Sequence, residues 1–204
     1  MGLSNRIKNI EPNQTGRMLK YAIGCLAFLM VLIVFSSASN VNNYYLYYRD
    51  GAVEIWKGRF SPTGKERLIM MPGLPEPKSI KDVYSKEEVF PIICNYYISK
   101  ANTLLDVPGK PDFTGIKNYL NRALSYATTD ALRQTVYARL NSIDVMVFIY
   151  KADVAASRRT MSGFAKALEY LAKASSLDPD EVEKALINQK IQLIKDATIA
   201  LKTK

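Results

Sequence analysis

The sequence contains no histidine and only two cysteines, Cys25 and Cys94. Without imidazole, the commonest general base, proton shuttle and metal ligand is missing. Two cysteines so far apart, one inside an apolar run, make neither a disulfide framework nor a cysteine zinc site. No G-x-S-x-G, P-loop or dinucleotide fingerprint occurs. Gly109-Lys110 sits in a proline-rich break and lacks the glycine spacing of a phosphate loop. Charge is also thin outside the first twenty residues. The total is +9 over 204 residues, with no basic block downstream of the kind that tracks a phosphate backbone. The expectation is a protein without cofactor or metal, without nucleic acid as a partner, and not an enzyme.

What the chain does have is one long uncharged run. Residues 21–38, YAIGCLAFLMVLIVFSSA, carry no charge and approach the ~20 residues a helix needs to cross a bilayer. Arg6, Lys8, Arg17 and Lys20 precede it, against Glu11 alone. Only Arg49 follows within the next stretch, before Lys57. The positive-inside rule therefore expects residues 1–20 as a cytoplasmic basic tail. It puts residues 40–204 outside the cytoplasm, in the periplasm if the membrane is a bacterial inner membrane. A cleaved leader is the rival reading, because Ser37-Ala38-Ser39 offers small residues. The run exceeds the usual 7–15-residue apolar region of such leaders, which favours an uncleaved signal anchor.

Beyond the run, Tyr44-Tyr45-Leu46-Tyr47-Tyr48 reads as an interfacial aromatic belt, as a β-strand of packed tyrosines, or as both. Tyr44–Tyr48 and Ala52–Trp56 flank Arg49-Asp50-Gly51, a strong hairpin cue. A third strand is expected over Arg67–Met71, so residues 43–71 form a small β segment. Residues 72–84 read as a proline-rich linker.

From residue 85 the period becomes helical. Ser85 and Glu88 have capping-box spacing. Phe90, Cys94, Tyr97, Ala101 and Leu105 share a face of the first helix. Cys94 reads as core. Asp112 is placed to cap a second helix with the stripe Ile116, Leu120, Ala123 and Ala127. A third runs from Thr129 to Arg158, with Leu132, Val136, Leu140, Ile143, Val147, Tyr150 and Val154 on one face. A fourth covers Met161–Leu177. The last starts at Asp178-Pro179, with Pro179 at its first position and Asp180 and Glu181 in its first turn. Helix capping, not a cation site, accounts for those acids.

These helices repeat. Tyr119-Leu120-Asn121-Arg122-Ala123 matches Tyr170-Leu171-Ala172-Lys173-Ala174 at an offset of 51, and Ile98 and Lys100-Ala101 match Ile149 and Lys151-Ala152. Ala167, Leu171, Ala174 and Pro179, with the ending Leu177-Asp178-Pro179, resemble the second helix of a tetratricopeptide repeat. In the first unit Ile116, Leu120, Ala123 and Thr128 take those places and depart at two. Neither unit has the family's Trp and Gly, and the period is longer than its ~34 residues. The resemblance spans roughly residues 86–179. It implies a mainly α fold of antiparallel helix pairs over residues 85–204, with a C-terminal capping helix. It also implies a concave face made by the first helices, gripping a protein partner through Tyr96, Tyr97, Lys100, Tyr150, Lys151, Arg158 and Arg159. Tyrosine and arginine suit such recognition, although stripe tyrosines also serve as core.

The function expected is a membrane-tethered, non-enzymatic adaptor or scaffold. An accessory subunit of a larger secretion, pilus or respiratory complex is the alternative. A third is a cell-wall glycan module stacking sugars on an exposed Trp56.

Overall fold

A computed structural model describes residues 12–76, 81–109 and 111–203. Arg6, Lys8 and Glu11 of the basic tail, residues 77–80 of the linker, and Lys110 lie outside the described residues. The protein is mainly helical, with one three-stranded antiparallel sheet after an N-terminal apolar helix. It divides into two compact units at Val89/Phe90.

The first unit opens with α1 (Pro12–Asn40). Gly16–Asn40 has mean hydropathy 2.4 and is long and apolar enough to cross a membrane. Its large side chains, Leu26, Phe28, Val31 and Phe35 among them, are exposed. Strands β1 (Tyr44–Arg49), β2 (Ala52–Gly58) and β3 (Lys65–Pro72) follow in the order β1-β2-β3. The Asp-Gly cue is realised. Asp50 and Gly51 both take positive φ, 51° and 74°, the pair of left-handed residues that joins twisted strands in two residues. Strand β3 is longer than the expected Arg67–Met71 at both ends, because Lys65 and Glu66 still pair with Gly58 and Lys57. Leu46, Val53, Ile55 and Met71 are buried, and Leu46 faces Ile55 while Val53 faces Met71. Tyr44, 4% exposed, is also core, and its backbone bonds in both directions with Tyr84.

The second unit is helical. Helix α2 (Lys86–Leu105) begins in the first unit, where the Ser85–Glu88 capping box forms in both directions. Then come α3 (Phe113–Ser125), α4 (Asp130–Ala156), α5 (Met161–Ser175) and α6 (Glu181–Lys202). Asp112, Thr129 and Thr160 cap α3, α4 and α5 through their side chains. The start of α6 corrects the sequence expectation. Asp180 is the N-cap in a reciprocal box with Glu183, so buried Pro179 lies before the helix and not at its first position. Two bonds between side chain and backbone fix that boundary more firmly than proline's φ preference does.

Helix α4 joins two hydrophobic clusters, and this corrects its expected single stripe. Val136 and Ile143 belong to a cluster with Cys94, Ile98 and Ala101 of α2 and Ile116, Leu120 and Ala123 of α3. Val145, Ile149, Ala152 and Ala155 belong to the next, with Ala167, Leu171 and Ala174 of α5 and Ile187 and Ile194 of α6. Val147 and Tyr150 are only half-buried and Val154 is exposed. On α2, likewise, the buried positions are Val89, Ile93, Cys94, Ile98 and Ala101, while Phe90, Tyr97 and Leu105 are half-buried.

The burial recurs at a spacing of 51. Cys94, Ile98, Ala101, Ile116, Leu120, Ala123, Val136 and Ile143 are buried, and so are Val145, Ile149, Ala152, Ala167, Leu171, Ala174, Ile187 and Ile194. One step further, the counterparts of Val145 and Ala152 are Asp196 on α6 and Thr203 just past its end, which are exposed. The pattern of buried side chains stops there.

Candidate functional site

The seven residues singled out from sequence fall into three places. Tyr150, Lys151 and Arg158 line a groove of about 500 Å³ between the C-terminal half of α4 and the start of α5. Gly163 makes the approach of these helices possible. A Cβ there would lie 2.7 Å from the carbonyl oxygen of Ala155, so only glycine fits without backbone movement. Thr160 accepts the Gly163 N–H at 3.0 Å and fixes the first turn of α5.

The groove is cationic and aromatic. Lys166 and Tyr170 complete it, with Val154 and Ala155 as its apolar lining. Lys151 Nζ lies 5.3 Å from the ring centre of Phe148 and 6.0 Å from that of Tyr170, within cation–π range. Lys166 is tied to Glu169 at 2.7 Å, and Lys173 reaches the same carboxylate at 2.8 Å. Those two hydrogen bonds, Lys166 first, hold the Glu169 carboxyl down at about 2. Among the described residues neither Lys151 nor Arg158 has a carboxylate partner. Among the described residues no acidic side chain lines the groove. Lys166 and Tyr170 were not singled out from sequence. Tyr170 was nevertheless visible there, as the match to Tyr119 in the 51-residue offset.

Tyr96, Tyr97 and Lys100 belong to a separate aromatic cluster. Tyr97 lies 6.3 Å from Tyr119 and 6.0 Å from Tyr126, both near-parallel. Phe90 meets Tyr126 edge-on at 5.2 Å. Lys100 sits 5.4 Å over Tyr96 and Arg122 5.9 Å over Tyr97. Burial pushes the hydroxyls of Tyr96 and Tyr126 above the ordinary tyrosine range. Tyr97 packs on the core between α2 and α3. Arg159 joins neither set. It takes φ 50° in the turn after α4 and lines a small cavity with Phe164 and Leu201. A single face containing all seven residues is therefore not what the helices build. Residues adjacent in sequence, such as Arg158 and Arg159, diverge where the backbone turns left-handed.

Other candidate chemistry is accounted for structurally. Cys94 is fully buried, and desolvation raises its thiol above the ordinary range, so thiolate is scarce at neutral pH. Among the described residues no group of three or more cysteine, aspartate or glutamate side chains gathers to hold a metal. Trp56 is half-buried, in contrast to the exposed platform expected. Its ring stands edge-on to Tyr47 at 6.4 Å, and its N–H donates to Glu54 at 3.0 Å. That bond, with Arg67 adding to it, lowers the Glu54 carboxyl below the ordinary range.

A second built feature joins α1 to the sheet. The side-chain amide of Asn40, 4% exposed, donates to the carbonyls of Arg59, Ser61 and Gly64 at 3.2, 2.8 and 2.8 Å. Its oxygen accepts from the Tyr45 hydroxyl at 2.7 Å. Ser37, one turn earlier, is also buried. The last turn of α1 is thus packed into the sheet unit.

Compared with known proteins, the chain matches no family model, no curated protein and no solved structure.

Proposed function

We propose that this chain is a membrane-anchored, non-enzymatic adaptor that holds a protein partner by an acidic segment in the α4–α5 groove. The observation that carries the reading is the uncompensated charge there. Lys151 and Arg158 have no carboxylate partner among the described residues and line the groove with two tyrosines and the apolar Val154 and Ala155. An acidic peptide with an apolar or aromatic side chain complements that lining. Tethering by α1 raises the partner's effective concentration at the membrane. The burial recurring at 51 residues supports reading α2–α5 as two stacked tetratricopeptide-like units, with α6 as their cap.

The packing of Ser37 and Asn40 supports an anchor over a cleaved leader, since cleavage at Ser37–Ser39 would remove part of a folded junction. The basic residues before α1 support an N-terminus in the cytoplasm and residues 40–204 in the periplasm. The native thiols cannot report this, because Cys94 is buried and Cys25 lies within the apolar helix α1. Asn188→Cys, on an exposed turn of α6, is the reporter. A membrane-impermeant maleimide added to intact spheroplasts labels it if the orientation is right. Cross-linking in native membranes tests the adaptor itself. Recovery of a protein partner, lost on charge reversal of Lys151 and Arg158, is the expected result. Turnover of a substrate by the purified chain with no partner recovered would overturn it.

A second reading, an accessory subunit of a larger membrane complex, draws on α6. Val182 and Leu193, 78% and 61% exposed, align with Leu186 along one side of that helix. Co-migration with a large assembly on native gels would favour it.

A further inference from the structure

We propose that the β2–β3 turn is a lipid-contacting element in which Phe60 enters the headgroup layer of the bilayer that holds α1. The inference rests on the reading of α1 as a membrane helix.

Phe60 is 67% exposed, and it sits between Arg59 and Ser61, two of the three residues whose carbonyls accept from the Asn40 amide. Its backbone is therefore held against the end of α1. That hold is tight on several sides. Gly58 leaves no room for a side chain beside Asn40, the Asn43 N–H returns to the Asn40 carbonyl at 3.0 Å, and the Gly58 N–H reaches the Asn43 carbonyl at 2.9 Å. The turn also closes on itself through the Arg59 N–H and the Gly64 carbonyl at 2.8 Å.

Depth follows from length. The apolar run ends at Ala38, and Asn40, the first amide side chain after it, stands two residues beyond, ~3 Å further along a helix. The Gly16–Asn40 helix, at ~37 Å, outlasts a hydrocarbon core of ~30 Å. Asn40 then lies in the headgroup layer, about 5–7 Å thick on each side. A turn bonded to Asn40 occupies the same layer. An exposed phenylalanine is favoured there and carries the cost of exposed apolar surface in water. Arg59 beside it, with its side chain about two-thirds exposed and only a 3.7 Å contact to Glu66, is placed to meet lipid phosphate. The tyrosines first read as the belt are less available. Tyr44 is buried, Tyr45 is bonded to Asn40, and Lys65 lies 3.5 Å over the Tyr45 ring.

The test is tryptophan quenching in the full chain, reconstituted into phosphatidylcholine–phosphatidylglycerol vesicles with brominated acyl chains. Phe60→Trp adds a fluorophore to native Trp56, whose own signal the unmodified chain supplies. Phe28→Trp places one in mid-helix. The expected result is a blue-shifted contribution from position 60, lost most with bromines near the headgroups, and one from position 28, lost most with deep bromines. Quenching at 28 without quenching at 60 overturns the proposal and leaves the membrane helix standing. Quenching at neither overturns both. Phe60→Ser, which leaves the turn's backbone bonds in place, checks the result without a new fluorophore. It should shift the quenching of Trp56 little while weakening attachment of the turn, read as faster protease cleavage at Arg59 in vesicles. Equal cleavage in vesicles and in detergent would count against lipid contact.

Discussion

Gly58 and Asn40 lie so close that a Cβ on Gly58 would fall 1.9 Å from the Asn40 carbonyl oxygen. The neighbour is backbone, so it cannot rotate away. Glycine at 58 and asparagine at 40 together make a joint between a helix end and a strand end. Asparagine supplies two amide protons to three carbonyls, and glycine supplies the space.

Gly58→Ala is therefore expected to loosen this joint, at a cost of about 1–3 kcal/mol by overpacking. Asn40→Ala should cost a similar amount, about 1–3 kcal/mol, because the carbonyls of Arg59 and Ser61 and the Tyr45 hydroxyl lose a partner in a partly buried joint. Hydrogen exchange in detergent micelles checks both. The amides of Arg59 and Gly58, now bonded to Gly64 and Asn43, should exchange faster, while those of α5 should not change. Protection equal to the unmodified chain would mean that the joint is not what holds the turn.

Charge reversal separates the groove from its surroundings. Lys151→Glu and Arg158→Glu should each weaken capture of the cross-linked partner about tenfold, the effect of ~1.4 kcal/mol. Arg159→Glu, which lines a different cavity, should change it little. Raising the salt should erode binding of the unmodified chain and leave the residual binding of the double variant nearly flat. Equal losses at 158 and 159 would point to general attraction by a basic surface.

Much of this was readable in the residues, and what was missed has a common cause. The Asp50-Gly51 turn, the Ser85–Glu88 box, the Asp112 cap and the Ile116–Leu120–Ala123 part of the α3 stripe are local signals, each set by a few neighbouring residues, and each is present, while Ala127 is buried just beyond the helix end. The stripe on α4 failed because one periodicity assumes one partner. This helix serves two clusters, so its buried positions move from Val136 and Ile143 to Val145, Ile149 and Ala152. Asn40 could not have been read at all. The three acceptors of its amide are 19 to 24 residues away and are backbone atoms, which leave no mark in the sequence. The groove was partly legible. Tyr150, Lys151 and Arg158 were found by helix membership, but that criterion also swept in Tyr96, Tyr97, Lys100 and Arg159, which the backbone carries elsewhere.

Equivalent core positions should respond alike. Leu120 and Leu171 are 51 residues apart and 1% and 0% exposed. Leu120→Ala and Leu171→Ala should each cost about 2–5 kcal/mol, from lost burial and an unfilled cavity. Urea unfolding of the full chain in detergent, followed by far-UV circular dichroism, reads the shift in midpoint. A large loss at one position with none at the other would argue against two equivalent clusters.

Glu169 links stability to the groove. Its carboxyl titrates at about 2, down from 4.5, because Lys166 and Lys173 both donate to it. A depressed carboxyl contributes stability that is complete above the ordinary value and is lost as pH falls through the folded one. The helical unit should therefore lose thermal stability between pH 4.5 and about 2, and Glu169→Gln should flatten that part of the profile. The carbon NMR signal of the Glu169 carboxyl should move with a midpoint near 2, and a midpoint near 4.5 would refute the pairing. At neutral pH the same substitution frees Lys166, a groove residue, from its counterion. Binding of a labelled poly-glutamate peptide should then become tighter and more salt-sensitive, because the carboxylate that competes for Lys166 has been removed. Unchanged binding would mean that Lys166 does not face the acidic segment, and would leave Lys151 and Arg158 as the charges that meet it.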